Sequence, residues 1–441
     1  MIAFISTYEK PEQPENLEKP KQPVISSEIM LTNTKIYQPL KRKEDVHIMK
    51  YTKLLRSCLA AFCFCGVAQM AAAYSPWEEN YTQVQLDTTK KEGTLIFSDC
   101  PEYAQQPGIL YEGTVKKGKG RIYYYHVNEI GSPARVLVYA QSDKKQDISV
   151  TRAIKGDASS DYYPTGSTLS YREIMEPKQD VQNVTLGAHK RTVIWDDDEM
   201  GIREEDLVSG IVEVETKNPV SFGVAILPHD NGSALQQSLD QAVYLPPDSH
   251  EMRGTFASDV YMENKNTWDF AKGTAMLKLG GDDSSLQFQK GPDEINHVER
   301  ENTGDYGIAY HIIFHSKGSG KYKLYLNGLG GYYFGSFEVG QNPKLMRVYR
   351  TDVSRLKKFG GDFDTWQEAG SWDAGKDLYI RLMPPGAACM PLVFMMVPEK
   401  QWKIRNMKVI IQLLSIANIL IYVATTKVIK VKKGYAPTLV S

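Results

Sequence analysis

Across residues 88–398 the chain alternates short β-branched or aromatic runs with turn residues, and sustained helical periodicity is almost absent. The pattern predicts an all-β protein. Residues 121–126 (RIYYYH), 134–140 (ARVLVYA) and 147–152 (DISVTR) are split by Gly131-Ser132-Pro133 and by Asp143-Lys144-Lys145, and read as a meander opening a sandwich. Residues 192–195, 210–215 and 221–227 continue the series. One short helix is expected where Ser170 and Glu173 have capping-box spacing and Pro177 ends the helical stretch; a second begins at Ser233 to Gln236.

A boundary is expected across residues 228–251, where the Asp230-Asn231-Gly232 turn, the second helix and Pro246-Pro247 coincide. It divides two β-sandwich-like domains, 88–228 and 251–398. In the second, strands are expected over 255–262, 275–279, 307–315, 321–326, 332–339, 345–349 and 378–383. Residues 307–326 read as a hairpin around Lys317-Gly318-Ser319-Gly320.

Two further segments carry topogenic patterns. Residues 49–73 have the three parts of a cleavable signal: basic Lys50, Lys53 and Arg56, an apolar run over 58–70, and Ala71-Ala72-Ala73, with cleavage expected after Ala73. Residues 1–48 are polar and rich in Pro, Glu and Lys, the composition of a disordered leader or an over-extended gene start. Residues 409–426 (VIIQLLSIANILIYVATT), flanked by lysines, are a candidate transmembrane or membrane-surface helix with Gln412, Ser415, Asn418 and Tyr422 on one stripe. An additional β-branched strand is the other reading of that segment. Together these patterns place the protein outside the cytoplasm, secreted or anchored by its C-terminal segment.

Charge narrows the partners. The formal net charge is −1, with acids and bases interspersed, so no nucleic-acid footprint is present. After cleavage only Cys100 and Cys389 remain, either a disulfide or two thiols.

Three blocks carry a family resemblance: Gly304-Asp305-Tyr306-Gly307, the glycine- and aromatic-rich residues 327–336, and residues 383–392 (MPPGAACMPL). With residues 108–115 and Arg253-Gly254-Thr255-Phe256, they resemble a bacterial secreted β-rich family often labelled copper amine oxidase N-terminal-like. The resemblance covers about residues 98–398, lacks that family's stalk domain, and departs from it at Cys389 and Met390. It implies an envelope-associated protein and brings no catalytic residues with it.

The residues do not support a copper oxidase. No His-x-His occurs, and the one Asn-Tyr, Asn80-Tyr81, sits beside the signal. His311 and His315 would share the face of one strand but stand about 13 Å apart at about 3.3 Å per residue, too far for a single ion. Ser-x-x-Lys at Ser142 and Ser354 lacks its companion motifs, and no Gly-x-Ser-x-Gly is present. Gly328, Gly330 and Gly331 open an aromatic strand rather than a helix, without a phosphate cradle. The acidic clusters at Asp196–Glu199, Asp282-Asp283 and Asp362–Asp364 lack calcium-loop spacing. No cofactor or metal is therefore expected.

The candidate ligand face is aromatic: Trp366 and Trp372 in an expected loop, with Tyr332 and Tyr333 at a strand entry. The competing reading buries these rings in the core. The sequence thus points to a non-catalytic cell-envelope or extracellular binding and adhesion module, with a cell-wall glycan or a surface protein as partner. The alternative is an extracellular enzyme acting on a polysaccharide, its carboxylates distant in sequence.

Overall fold

The computed structural model describes residues 75–176, 181–229, 234–281, 287–329, 331–351, 353–354, 357–359, 363–399 and Ser415. The leader and signal, and the 409–426 segment apart from Ser415, lie outside the described residues. Among those described, no helix is long and apolar enough to cross a membrane. The fold is all-β, with two α-helices among the described residues, α1 (Tyr162–Met175) and α2 (Leu235–Gln241).

Four sheets hold most of the strands among the described residues. A seven-stranded sheet runs in the order Arg253–Phe256, Thr94–Ser98, Gly118–Asn128, Leu207–Thr216, Gln146–Lys155, Gln182–Leu186, with Tyr103–Ala104 added alongside Gly118–Asn128. A four-stranded sheet has the order Thr192–Ile202, Ala134–Gln141, Val220–Pro228, Gly108–Val115. One apolar cluster joins the two, drawing Ile122, Tyr124 and Val212 from the first and Val138, Phe222 and Val224 from the second.

A five-stranded sheet has the order Tyr81–Gln83, Thr274–Leu279, Leu392–Pro398, Lys321–Asn327, Trp366–Asp373. A six-stranded sheet has Leu86–Glu92, Asp259–Asn264, Ala309–Phe314, Leu378–Leu382, Ser336–Gly340, Arg347–Arg350. Their shared core includes Leu277, Leu324 and Phe394 from one and Met262, Ile312 and Ile380 from the other. The same cluster takes in Phe97, Tyr123, Tyr125 and Val127 of the seven-stranded sheet and Leu169 of α1. The seven-stranded sheet is therefore buried on both faces, which is why its strand Gly118–Asn128 is continuously buried from Gly120 to Asn128. Side chains alternate across the pleat, sending Tyr123 and Tyr125 into one cluster and Ile122 and Tyr124 into the other.

Several expected strands form, but their connections differ from expectation. Residues 121–126, 134–140 and 147–152 do not make a meander, because the middle strand joins the four-stranded sheet while its neighbours join the seven-stranded one. Residues 307–326 are not a hairpin: Ala309–Phe314 pairs with Asp259–Asn264 and Leu378–Leu382, whereas Lys321–Asn327 pairs with Trp366–Asp373 and Leu392–Pro398 in the facing sheet. The glycine-rich loop carries the chain between layers. Helix α1 begins eight residues before Ser170, and that hydroxyl accepts the Ser336 amide at 2.8 Å instead of capping. Pro164 in the first turn, where its missing N–H costs no helical bond, is compatible with the earlier start.

Candidate functional site

The strand Thr94–Ser98 ends at a short segment, Asp99 to Glu102, that faces a cavity of about 410 Å³. Tyr125, from the neighbouring strand, and Asp99 and Glu102 form one side. Tyr306 and Ala387 lie opposite, with His250, Met252 and Thr303 completing the lining. Alternation along Gly118–Asn128 turns Tyr125 toward this side, and the pattern of the RIYYYH run is what places it there.

The loop bearing Ala387 is held in place by close backbone approach. A methyl group on Gly386 would lie 2.2 Å from the Tyr125 ring, and one on Gly166 of α1 would lie 2.4 Å from the Gly386 carbonyl oxygen. Both positions need glycine for want of space. The Gly386 amide also donates to the Tyr123 hydroxyl at 2.7 Å. The backbone just after Asp99 is anchored by a fully buried Arg253. This guanidinium pairs with Asp293 at 3.0 Å and donates to the carbonyls of Cys100, Leu110 and Leu245 at 3.0 to 3.3 Å.

Electrostatically the site is acidic. Asp99 is buried, and its Oδ1 has no hydrogen-bond partner. Burial, then the charges of Glu102 and Asp248, hold its carboxyl well above the ordinary carboxylate range. Burial raises Glu102 as well, with Asp248 adding to the effect and His250 opposing it. Asp248 moves the other way: the amides of Glu102, His250 and Glu251 and the Cys100 thiol, all donating to it, outweigh its burial. Desolvation raises the phenols of Tyr125 and Tyr306, so both stay neutral. The arrangement offers hydrogen-bond donors, acceptors and aromatic faces within one enclosure.

An aromatic margin adjoins it. The Tyr162 hydroxyl reaches Tyr103 at 3.4 Å, and Tyr163 contacts Tyr332 edge-on at 5.9 Å between centroids. Tyr103 and Tyr332 are 41% and 38% exposed. Ser98 and His126, their side chains 2.8 Å apart just behind Asp99, resemble a nucleophile and base, yet both are fully buried. Burial lowers His126 to about 4, while its Nδ1 is bonded to the Pro101 carbonyl at 2.8 Å. This pair fixes the strand end and has no access to solvent.

Of the aromatic face expected from sequence, only Tyr332 joins this margin. Tyr333 is fully buried, and Trp372 is buried with its indole donating to the Ala369 carbonyl at 2.9 Å. Trp366 packs against Trp77 at 4.9 Å between centroids and borders a separate apolar cluster. Both tryptophans lie on the strand Trp366–Asp373 rather than in a loop. Of the two alternatives for Cys100 and Cys389, a disulfide or two thiols, the structure has two free thiols. The Cys100 thiol is turned toward Asp248 and pushed up to about 12, chiefly by burial, whereas Cys389 is exposed in the loop that bonds to the Tyr332 carbonyl. His311 and His315 make separate hydrogen bonds, the first with Asp259 at 2.9 Å and the second with Asp377 at 2.9 Å and Glu263 at 3.2 Å. Among the described residues no group of three or more His, Cys, Asp or Glu is placed to hold a metal ion.

Asp99, Glu102 and His250 carried no signal in the sequence. Tyr306 and Ala387 did: they belong to the 304–307 and 383–392 blocks, and the fold brings both blocks to this cavity.

No family model matches the chain, and no curated protein matches it. Among solved structures it is similar to a Paenibacillus xanthan lyase at 10% identity and a TM-score of 0.18, over 74% of this chain and 26% of the lyase. The chain thus spans about a quarter of that protein's length. A human MASP-1/3 CUB1-EGF-CUB2 fragment is similar at 6% identity and a TM-score of 0.18, over 65% of this chain and 99% of the fragment. A copper nitrite reductase from Nitrosomonas europaea is similar at 10% identity and a TM-score of 0.10, over 69% and 85% of the two chains.

Proposed function

We propose that this chain is a non-catalytic envelope or extracellular binding module that holds a surface glycan in the cleft between Asp99 and Tyr306. Its two pairs of sheets act as two β-sandwich-like domains with the cleft at their junction. The signal at residues 49–73 directs it out of the cytoplasm, and the 409–426 segment decides between release and tethering. The observation that carries this reading is a buried Asp99 carboxyl, one oxygen of it unpartnered, beside a cleft lined by Tyr125 and Tyr306 and bordered by exposed tyrosines. Buried acceptors require donors, and sugars supply hydroxyl donors together with apolar ring faces that pack on aromatic rings.

A second reading, an enzyme acting on polysaccharide, is favoured by one specific feature: Asp99 and Glu102 are two carboxyls in one cleft, both raised by burial. One experiment separates the two. The purified full chain is screened on a glycan array and incubated with the bound glycans while reducing ends are counted. Saturable binding without new reducing ends supports the module. New ends that disappear with Asp99→Asn support the enzyme, and absence of saturable binding overturns both.

A further inference from the structure

We infer that the Asp99 cleft recognises the protonated amine of an unacetylated amino sugar within a glycan, an inference that rests on the binding-module reading and deepens it. The cavity beside Asp99 has the size of a small-ligand site. Asp99 lines it at 8% exposure, and one oxygen of its carboxyl is buried without a hydrogen-bond partner, a costly arrangement that a charge-compensating ligand at the cavity would ease.

The groups around Asp99 specify what kind of donor. Glu102 faces it from its own segment, Asp248 from the segment before Arg253, and the phenols Tyr123, Tyr125 and Tyr306 from the strand and loop packed against it. His250 stands at the exposed rim and acts on Glu102. Arg253, the nearest guanidinium behind the site, is committed to Asp293 and three carbonyls. Among the described residues, neither Asp99 nor Glu102 has a Lys or Arg ion-pair partner. The enclosure therefore carries an excess of acid and lacks a cation.

An ammonium group meets both needs. It donates up to three hydrogen bonds, supplies the missing positive charge, and is attracted to the faces of Tyr125 and Tyr306. A metal ion fits poorly, since no three donor side chains converge among the described residues. The exposed tyrosines at the margin favour a sugar bearing the amine over a lysine side chain, because neighbouring rings of a glycan can rest on them.

Binding also has a proton signature. Burial holds the Asp99 carboxyl well above the ordinary carboxylate range and an ammonium group beside it favours ionisation, so any proton Asp99 keeps in the empty cleft passes to solvent on binding while the amine keeps its own. A neutral hydroxyl ligand would leave the proton in place.

The test is calorimetric titration of the full chain at pH 7 with glucosamine oligomers, their N-acetylated counterparts and a lysyl peptide, each in two buffers of unlike ionisation enthalpy. The expected result is binding of the free-amine oligomer at least tenfold tighter than that of the acetylated one, with proton release. Asp99→Asn, checked by thermal melting, abolishes both the release and the discrimination; Glu102→Gln, which weakens discrimination, provides the same reading should the first variant fail to fold. Equal binding of acetylated and free oligomers overturns the amine inference and leaves the glycan-binding reading standing. Tighter binding of the lysyl peptide overturns it in favour of a protein ligand, and no binding of any probe overturns both readings.

Discussion

Asp305, one residue before the cavity-lining Tyr306, is fully buried with a backbone φ of 50°. It accepts the Gln289 amide at 2.8 Å and faces the buried Tyr310 hydroxyl. Burial lifts its carboxyl from 3.8 to about 7. Because the folded value exceeds the unfolded one, the acid costs nothing below about pH 4, where it is neutral in both states. The penalty then grows with pH and levels off above about pH 7, when the folded state must also carry the charge. Asp305→Asn keeps the carbonyl acceptor and cannot ionise, so its melting temperature relative to the native chain should rise between pH 4.5 and pH 8. A difference that is the same at both pH values would refute this account. Tyr306 could be singled out from sequence because Asp-Tyr between two glycines forms a recognisable block. Asp99 could not, since its environment is built by Glu102 nearby but also by Asp248 and Tyr306, well over a hundred residues away.

One side chain of helix α1 bridges two sheets by charge. Glu173 is buried and accepts from Arg381 of the six-stranded sheet and from Arg152 of the seven-stranded sheet, with Arg121 at 3.7 Å. Burial alone would raise its carboxyl, but Arg381, Arg121 and Arg152 outweigh it and hold it at about 2. The stability this provides is complete above the unfolded value near 4.5 and is lost as pH falls toward 2. Glu173→Gln removes the carboxylate shared by all three guanidinium groups but leaves Arg121 and Arg152 paired with Glu213 and Arg381 with Glu338, so it should cost about 1 to 3 kcal/mol in urea unfolding at pH 7. It should also flatten the acid limb of the stability curve below pH 4.5; an unchanged limb would show that the clasp does not act through this carboxylate. The sequence pointed to a helix here but placed its start at the wrong serine. Ser170 and Glu173 have capping-box spacing, yet in the fold each is drawn into a tertiary contact. Local spacing cannot distinguish a cap from a pair of buried anchors.

At the scale of the molecule, the strands cross the interdomain boundary expected from the turn and prolines at residues 228–251. Tyr81–Gln83 and Leu86–Glu92 precede it in sequence but pair with Thr274–Leu279 and Asp259–Asn264 beyond it. Arg253–Phe256 comes after it but closes the edge of the seven-stranded sheet against Thr94–Ser98. Turn residues mark where a chain reverses, whereas sheet membership is set by pairing between distant segments, which is why the strands were legible and their partners were not. The exchange has a mechanical consequence. A chain cut between Pro246 and Pro247 leaves the first part without its Arg253 edge strand and the second without Val84 and Leu86 of the shared core. Arg253 would also lose the carbonyls of Cys100, Leu110 and Leu245, leaving a buried charge to be hydrated. Residues 75–246 and 247–399 expressed separately should therefore show no cooperative melting, and mixed during refolding they should form a one-to-one complex that melts as a unit. Cooperative melting of either part alone would mean that the crossing strands are accessory, and that each pair of sheets holds its own core without the exchange.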